Sequence, residues 1–116
     1  MSEIKDWESL ARGESGDIEL EKAWLRKAMK IFDVFCKKQT SYGPFNIAKF
    51  GERGCVIRAN DKIERLINLH FKETKNPLED ETIEDTWCDL ADYAIIAWLC
   101  RSGEWPYLKE ATRMKP

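Results

Sequence analysis

Four carboxylates recur along the stretch of residues 81–100, at Glu81, Asp85, Asp89 and Asp92. Because they are spaced by four, four and three residues, they fall on one side of an α-helix, each about one turn from the next. The stretch contains no lysine or arginine, so the row has no counter-charge on its own helix. Unit charges about 4 Å apart repel by about 1 kcal/mol in water and by more in a protein interior. The row therefore requires a cation, supplied by a neighbouring helix or by a divalent metal ion.

Upstream of this row, two acids alternate with two basic residues at Asp61, Lys62, Glu64 and Arg65. If the two stretches pack as antiparallel helices, their carboxylates face one cleft. Carboxylate oxygens suit Mg²⁺, or Mn²⁺, and Mg²⁺ typically binds few carboxylates together with substrate phosphates. Lys62 and Arg65 would then neutralise the part of a phosphate that the metal does not cover. The pattern favours phosphoryl chemistry over peptide hydrolysis.

The same charges also allow a purely structural interpretation. Arg58 and Arg65 lie one turn on either side of Asp61, and they could pair with Asp85 and Asp89 across the helix interface. The acids would then form salt bridges and bind no metal. The spacing alone leaves both interpretations open.

Between the first and second predicted helices, Gly43 and Pro44 predict a turn that carries Tyr42, Phe45 and Asn46. We expect a loop over about residues 39–54, which is longer than the usual connection of about 2–8 residues between packed helices. Long loops in compact domains often bind ligands. Aromatic rings can stack on a nucleotide base and an amide can read its edge. Alternatively, the aromatic side chains close the end of the helical bundle.

Apolar periodicity predicts an all-α bundle of three main helices, over about residues 18–38, 56–71 and 82–101. Asp17 is a suitable N-cap for the first helix, and Asp80 or Thr82 for the third. No strand-like alternation occurs.

The apolar stripes predict which side chains are buried. Leu20 and Trp24 belong to the stripe of the first helix, and Trp87 and Trp98 to that of the third. Three helices with a long loop give a thin core, so we expect a homodimer or homotetramer.

The predicted domain organisation has three parts. We expect a flexible N-terminal arm at 1–16, a helical domain at 17–103 and a C-terminal tail at 104–116. The 116 residues suffice for one core.

The amino-acid composition gives no support for nucleic-acid, membrane or zinc binding. Hydrophobic residues make up 43% of the chain, and the formal net charge of −2 gives no reason to expect nucleic-acid or anionic-membrane binding. No run approaches the roughly 20 apolar residues of a membrane span and the N-terminus is charged, so we expect a cytoplasmic protein. The four cysteines are widely spaced and the chain has a single histidine, which argues against zinc and for reduced thiols.

About residues 30–100 resemble the small phage and bacterial family called the nucleotide modification associated domain, type one, a domain of unknown function. The residues that carry the resemblance are Tyr42, Gly43, Pro44, Arg58, Asp61, Lys62, Arg65, Leu66, Glu81, Asp85, Asp89 and Tyr93. The family is associated with genes that modify phage DNA nucleotides.

The layout is also similar to that of all-α nucleotide pyrophosphatases of the MazG and dimeric dUTPase kind. Those proteins carry an E-x-x-E pair on one helix and an E-x-x-D pair on the next, bind Mg²⁺, and cleave a nucleoside triphosphate to a monophosphate and pyrophosphate. The matching positions here are Asp61-x-x-Glu64 and Asp89-x-x-Asp92. Glutamate is usual where this chain has Asp61 and Asp89.

Together the spacing and the resemblance imply roles for individual residues. We expect Asp61, Asp85 and Asp89 to hold the metal, and Glu64 or Asp92 to complete its shell or orient a water for catalysis. The expected substrate-binding residues are Tyr42, Phe45, Asn46, Arg58, Lys62, Arg65 and Tyr93.

Three hypotheses for the function follow. The first is a Mg²⁺-dependent nucleotide pyrophosphatase or related phosphohydrolase that acts on a standard or modified nucleotide. The second is a non-catalytic nucleotide-binding protein, such as a phage-type sensor or sponge. The third is a helical interaction module whose acids are structural.

Overall fold

The computed structural model describes residues 6–72 and 81–109, and it confirms the predicted all-α class. A short 3₁₀ helix, Trp7–Leu10, precedes the long helices. The long helices are α1 (Ile18–Tyr42), α2 (Phe45–His70) and α3 (Ile83–Arg101). Nowhere in the two described ranges does the backbone form a strand.

Local capping chemistry sets the helix ends. The side chain of Asp17 accepts a hydrogen bond from the backbone N–H of Leu20 at 3.0 Å, so the predicted cap of α1 is confirmed. Gly43 follows α1 with a φ of 72°, a conformation that suits glycine, and its N–H donates to the carbonyl of Gln39. Thr82 and Asp85 form a reciprocal capping box at the start of α3.

The prediction of a loop over residues 39–54 was wrong, because α1 continues to Tyr42 and α2 already begins at Phe45. Pro44 has a φ of −82°, which leads directly into a helix. Gly51 adopts a φ of 61° and kinks α2 without ending it. Gly54 lies so close to Phe50 that an added Cβ would come within 2.5 Å of the Phe50 Cβ. Gly51 and Gly54, which fall within the predicted loop, therefore lie in a bent helix.

Helices α2 and α3 pack antiparallel, since Glu52 pairs with Arg101 near one end and Lys62 pairs with Glu81 near the other. The core lies at the first of these ends. Its buried residues are Ile47, Ala48, Cys55, Ile96, Cys100 and Trp105.

Trp105 ties the segment after α3 to the other helices. Its indole N–H donates to the carbonyl of Pro44 at 2.9 Å, and its ring meets that of Phe35 edge-on, with 6.0 Å between centroids. This part of the predicted C-terminal tail is packed in the core, whereas residues 110–116 lie outside the described ranges.

Part of the predicted N-terminal arm packs on α1. The ring of Trp7 lies 5.9 Å from that of Phe32, between centroids. The carboxylate of Glu21 accepts hydrogen bonds from the Ser15 hydroxyl and from the backbone N–H groups of Ser15 and Gly13, and these bonds lower the pKa of Glu21 to about 2. Residues 1–5 lie outside the described ranges.

The predicted buried stripes of the first and third helices were wrong for their largest members. Trp24 is 70% exposed and Trp98 is 74% exposed, and Leu20 and Trp87 are exposed as well. The side of α3 that faces the rest of the chain instead carries the buried residues Thr86, Asp92, Ile96 and Cys100. Periodicity identifies an apolar face but does not say whether the same chain covers it. Among the helices of the described ranges, none has the length and hydropathy needed to cross a membrane.

Candidate ligand-binding cavity

Asp89 lies between two lysines from two different helices. Its Oδ1 is 2.7 Å from Nζ of Lys38 on α1, and its Oδ2 is 3.2 Å from Nζ of Lys62 on α2. Burial works against the charged form of each lysine, but hydrogen bonds and the negative charges of Asp89 and, for Lys62, of Glu81 outweigh it and raise both pKa values above 10.5. Asp89 therefore fastens α3 to both other helices.

Arg65 organises the start of α3. Its Nε donates to the hydroxyl of Thr86 at 3.0 Å, and one terminal nitrogen donates to the backbone carbonyl of Glu81 at 2.8 Å. The carboxylate of Glu81 lies 3.1 Å from Lys62 Nζ and 3.9 Å from Arg65 Nε. The hydroxyl of Thr86, which is fully buried, in turn donates a hydrogen bond to the backbone carbonyl of Thr82. Ion pairs between α2 and the acidic stretch thus exist, with Glu81 and Asp89 as the acids.

The three predicted metal ligands do not converge within one chain. Asp61 is exposed on α2, and Asp85 is exposed and engaged in the capping box, where hydrogen bonds from Thr82 lower its pKa. Asp89 already has two lysine partners. Glu64, one of the two predicted catalytic acids, is also exposed.

No group of three His, Cys, Asp or Glu side chains that could hold a metal ion occurs in residues 6–72 and 81–109. Within those two ranges, Asp61, Asp85 and Asp89 therefore do not form a site for Mg²⁺ or Mn²⁺. Metal binding stays a prediction from the sequence.

A cavity of about 250 Å³ lies between the end of α1, the start of α2 and the middle of α3. Four of the predicted substrate-binding residues line it: Tyr42, Asn46, Arg58 and Tyr93. The predicted catalytic residue Asp92 lines it too. The remaining lining residues are Lys38, Gln39, Gly43, Ile47 and Ile96.

Arg58 brings an uncommitted positive charge to the cavity. Its side chain is half-buried, and within the described ranges no carboxylate forms an ion pair with it and no acceptor forms a hydrogen bond with it. The neighbouring cation, Lys38, is held by Asp89. A partly desolvated guanidinium without an anion is an unfavourable arrangement that a bound anion would relieve.

The carboxylate of Asp92 is a hydrogen-bond acceptor that lines the same cavity. Asp92 is 4% exposed, and no donor within the described ranges forms a hydrogen bond with it. Burial raises the pKa of Asp92 to about 6, the charge of Lys38 opposes this rise, and the negative charge of Asp89 adds to it. A second unused acceptor, Oε1 of Gln39, is buried without a hydrogen bond.

The other predicted substrate-binding residues lie elsewhere. The ring of Phe45 packs 6.3 Å from that of Tyr107, between centroids, and Lys49 Nζ lies 5.7 Å above it. Lys62 and Arg65 belong to the ion-pair network described above.

Sequence reasoning missed Lys38 and Gln39 as members of the cavity. A signal was present, because Lys38 and Gln39 precede Tyr42 by four and three residues. On a helix that continues to Tyr42, this spacing places all three on one face.

Comparisons of this chain with family models, with curated proteins and with solved structures find no match. The resemblance seen in the sequence motifs therefore stays an expectation.

Proposed function

We propose that this protein binds a phosphorylated nucleotide in the cavity between α1, α2 and α3. The observation that carries the proposal is the half-buried guanidinium of Arg58, which lines the cavity without an anionic partner in the described ranges. A planar guanidinium presents a fork of N–H donors that matches two oxygens of a phosphate. A bound phosphate would give Arg58 the counter-charge that residues 6–72 and 81–109 do not provide.

The rest of the cavity suits the base of a nucleotide. Tyr42 and Tyr93 supply aromatic rings for stacking, and Asn46 supplies an amide with both donors and an acceptor. Ile47 and Ile96 add a buried apolar floor. The volume of about 250 Å³ lies just below the roughly 300–1,000 Å³ of most small-molecule sites. A cavity of this size accommodates one base and leaves the sugar and phosphate nearer the solvent.

We propose nucleotide binding and not hydrolysis as the main function, because the contacts of the acidic residues favour binding. Asp89 is matched by two lysines, and Asp61 and Glu64 are exposed. The Mg²⁺-dependent pyrophosphatase stays a prediction based on the sequence and its resemblance. It requires the acids to be rearranged, or completed by a second chain, when substrate binds.

Calorimetric titration with the mono- and triphosphates of the standard nucleosides tests the proposal. Replacing Arg58 by alanine removes charge-assisted hydrogen bonds worth about 1.5–3 kcal/mol, so affinity should fall about tenfold to a hundredfold. Arg53→Ala is the matched control, because Arg53 is exposed on the same helix and does not line the cavity. The proposal fails if no nucleotide binds at millimolar concentration, or if Arg58→Ala binds as tightly as the wild type.

The same samples test hydrolysis. Pyrophosphate or phosphate release is measured with Mg²⁺ and with Mn²⁺, for the wild type and for Asp89→Asn. Release that Asp89→Asn abolishes would support the pyrophosphatase. Tight binding that survives EDTA, without release of either product, would establish the binding protein.

We also propose that the chain self-associates through its exposed apolar face. A groove of about 370 Å³ runs between α2 and α3, and nearly all its lining is apolar. Its residues are Cys55, Val56, Ala59, Trp87, Leu90, Ala91, Tyr93, Ala94 and Ala97. Trp98 is exposed on α3 as well, and soluble monomers rarely leave so large an apolar surface uncovered. A second copy of the chain is the partner that we expect there.

A further inference from the structure

Two hydrogen-bond acceptors in the cavity have no donor among the residues that the structure describes. Asp92 is a buried residue, 4% exposed, and no donor of the described residues forms a hydrogen bond with its carboxylate, while Oε1 of Gln39 is enclosed without a hydrogen bond. Buried polar atoms nearly always have a hydrogen-bond partner in a folded protein, and each exception calls for an explanation. Oε1 of Gln39 is such an exception, and Gln39 lines the same cavity as Asp92.

The neighbouring cations do not satisfy these acceptors. Lys38 lies near enough to Asp92 to influence its charge, but its ammonium group is 2.7 Å from Asp89. Arg58 lines the cavity and forms no ion pair with Asp92. The acceptors therefore remain available to a ligand, while the Arg58 donors remain available to an anion.

We infer that the cavity selects guanine nucleotides, with the Asp92 carboxylate accepting the N1–H and N2–H donors of guanine and the Arg58 guanidinium binding the phosphate. This inference rests on the proposed nucleotide-binding function. It follows from the kind of group that each residue offers: an ionised carboxylate only accepts hydrogen bonds, and guanine is the common base whose pairing edge presents two adjacent N–H donors.

The other bases place an acceptor opposite the carboxylate. Adenine and cytosine each have one amino group next to a ring nitrogen that accepts, and uracil and thymine have one N–H between two carbonyls. An acceptor held against the buried carboxylate leaves both groups unpaired and repelling. A site built to bind a donor discriminates strongly against analogues without that donor.

Gln39 adds to the same preference. Its Oε1 also needs a donor, and a guanine held by Asp92 has a further amino hydrogen to offer. Tyr93 is next to Asp92 on α3, and Tyr42 lies at the exposed end of α1, where an aromatic ring can stack on the base. Asp92 and Gln39 thus recognise the edge of the base, and the tyrosine rings contact its face.

Calorimetry with guanosine, GMP, IMP, AMP, CMP and UMP tests the selectivity. We expect GMP to bind most tightly and IMP, which lacks only the exocyclic amine, to bind about tenfold or more weakly. Guanosine should also bind more weakly than GMP, because it lacks the phosphate that Arg58 binds. AMP, CMP and UMP should bind at least as weakly as IMP.

Asp92→Asn should reverse the preference between two nucleotides, GMP and XMP, a result that an unfolded variant cannot give. The asparagine amide presents one acceptor and one donor, which matches the N1–H and C2 carbonyl of xanthine. We expect this variant to lose about tenfold or more in affinity for GMP and to gain affinity for XMP. Asp33→Asn, at an exposed position of α1, should bind both ligands like the wild type.

The outcomes separate the two proposals. If no nucleotide binds the wild type, both proposals are overturned. If nucleotides bind in a manner that Arg58→Ala weakens, but GMP and IMP bind equally and Asp92→Asn leaves their ratio unchanged, guanine selection is overturned and nucleotide binding stands.

Discussion

The buried carboxylate of Asp92 should make the stability of the protein depend on pH in a specific way. Its pKa rises from an ordinary 3.8 to about 6 in the folded chain. At pH values between these two, the unfolded chain has released the Asp92 proton and the folded chain keeps it. Because the folded state binds more protons there, its stability falls as the pH rises from about 4 to about 6, and the loss is nearly complete at pH 7.

The size of this loss follows from the pKa difference, which corresponds to about 3 kcal/mol at most. Asparagine at position 92 carries no charge at any pH and has nearly the same shape. Asp92→Asn should therefore raise the free energy of unfolding by about 2 kcal/mol more at pH 7 than at pH 4. Glu21 and Asp85, whose lowered pKa values act in the opposite direction, are present in both proteins and cancel in the comparison.

Urea unfolding followed by the fluorescence of the five tryptophans measures these free energies. Both proteins should be studied at one fixed concentration, because self-association would add to the apparent stability. Asp33→Asn is the control, and its effect should be small at both pH values, since Asp33 is exposed. The reasoning is refuted if Asp92→Asn changes the free energy of unfolding equally at pH 4 and pH 7.

Three further predictions concern other parts of the molecule. Asp89→Ala should lower the free energy of unfolding by about 1–3 kcal/mol, because it leaves two partly buried lysines without their shared partner. Asp61→Ala, at an exposed site, should change the free energy of unfolding by less than about 0.5 kcal/mol in metal-free buffer. Equal effects of the two substitutions in urea unfolding would contradict the ion-pair network around Asp89. Trp98→Glu should convert an oligomer into a monomer in light scattering, and a wild type that is monomeric at micromolar concentration would exclude the proposed self-association. A thiol reagent should modify exposed Cys36 first and Cys55 last, because burial raises the pKa of Cys55 to about 11; fast modification of Cys55 in the folded protein would show that its site is open.

The sequence identifies the helices well where the signal is local. Asp17 and Gly43 act on backbone groups within a few residues of themselves, so their roles can be recognised from neighbouring residues alone. The bend in α2 could not be predicted in the same way. Glycine marks loops and also occurs at helix kinks, so the two cannot be told apart locally; in the folded chain Ile47 and Cys55, on either side of Gly51, are both buried in the core.

The sequence does not fix which charged residues face each other. Arg58, Lys62 and Arg65 are spaced by four and three residues, so they share one face of α2. That face turns inward, and it leaves Asp61 and Glu64 exposed.

The rotation of α2 about its own axis depends on packing against α3, which is a property of the whole fold. For this reason the presence of ion pairs could be foreseen from composition and spacing, whereas their partners could not. The two unused acceptors in the cavity are visible only once burial and hydrogen bonding are known.

The most direct test of nucleotide binding in the cavity is a ¹H–¹⁵N spectrum of the labelled protein recorded during titration with GMP. We predict saturable shifts that are concentrated at the cavity, at the amides of Asn46 and Arg58 and at the side-chain amide of Gln39. A spectrum that does not change at millimolar GMP, or shifts confined to the apolar groove around Trp87, would contradict this account.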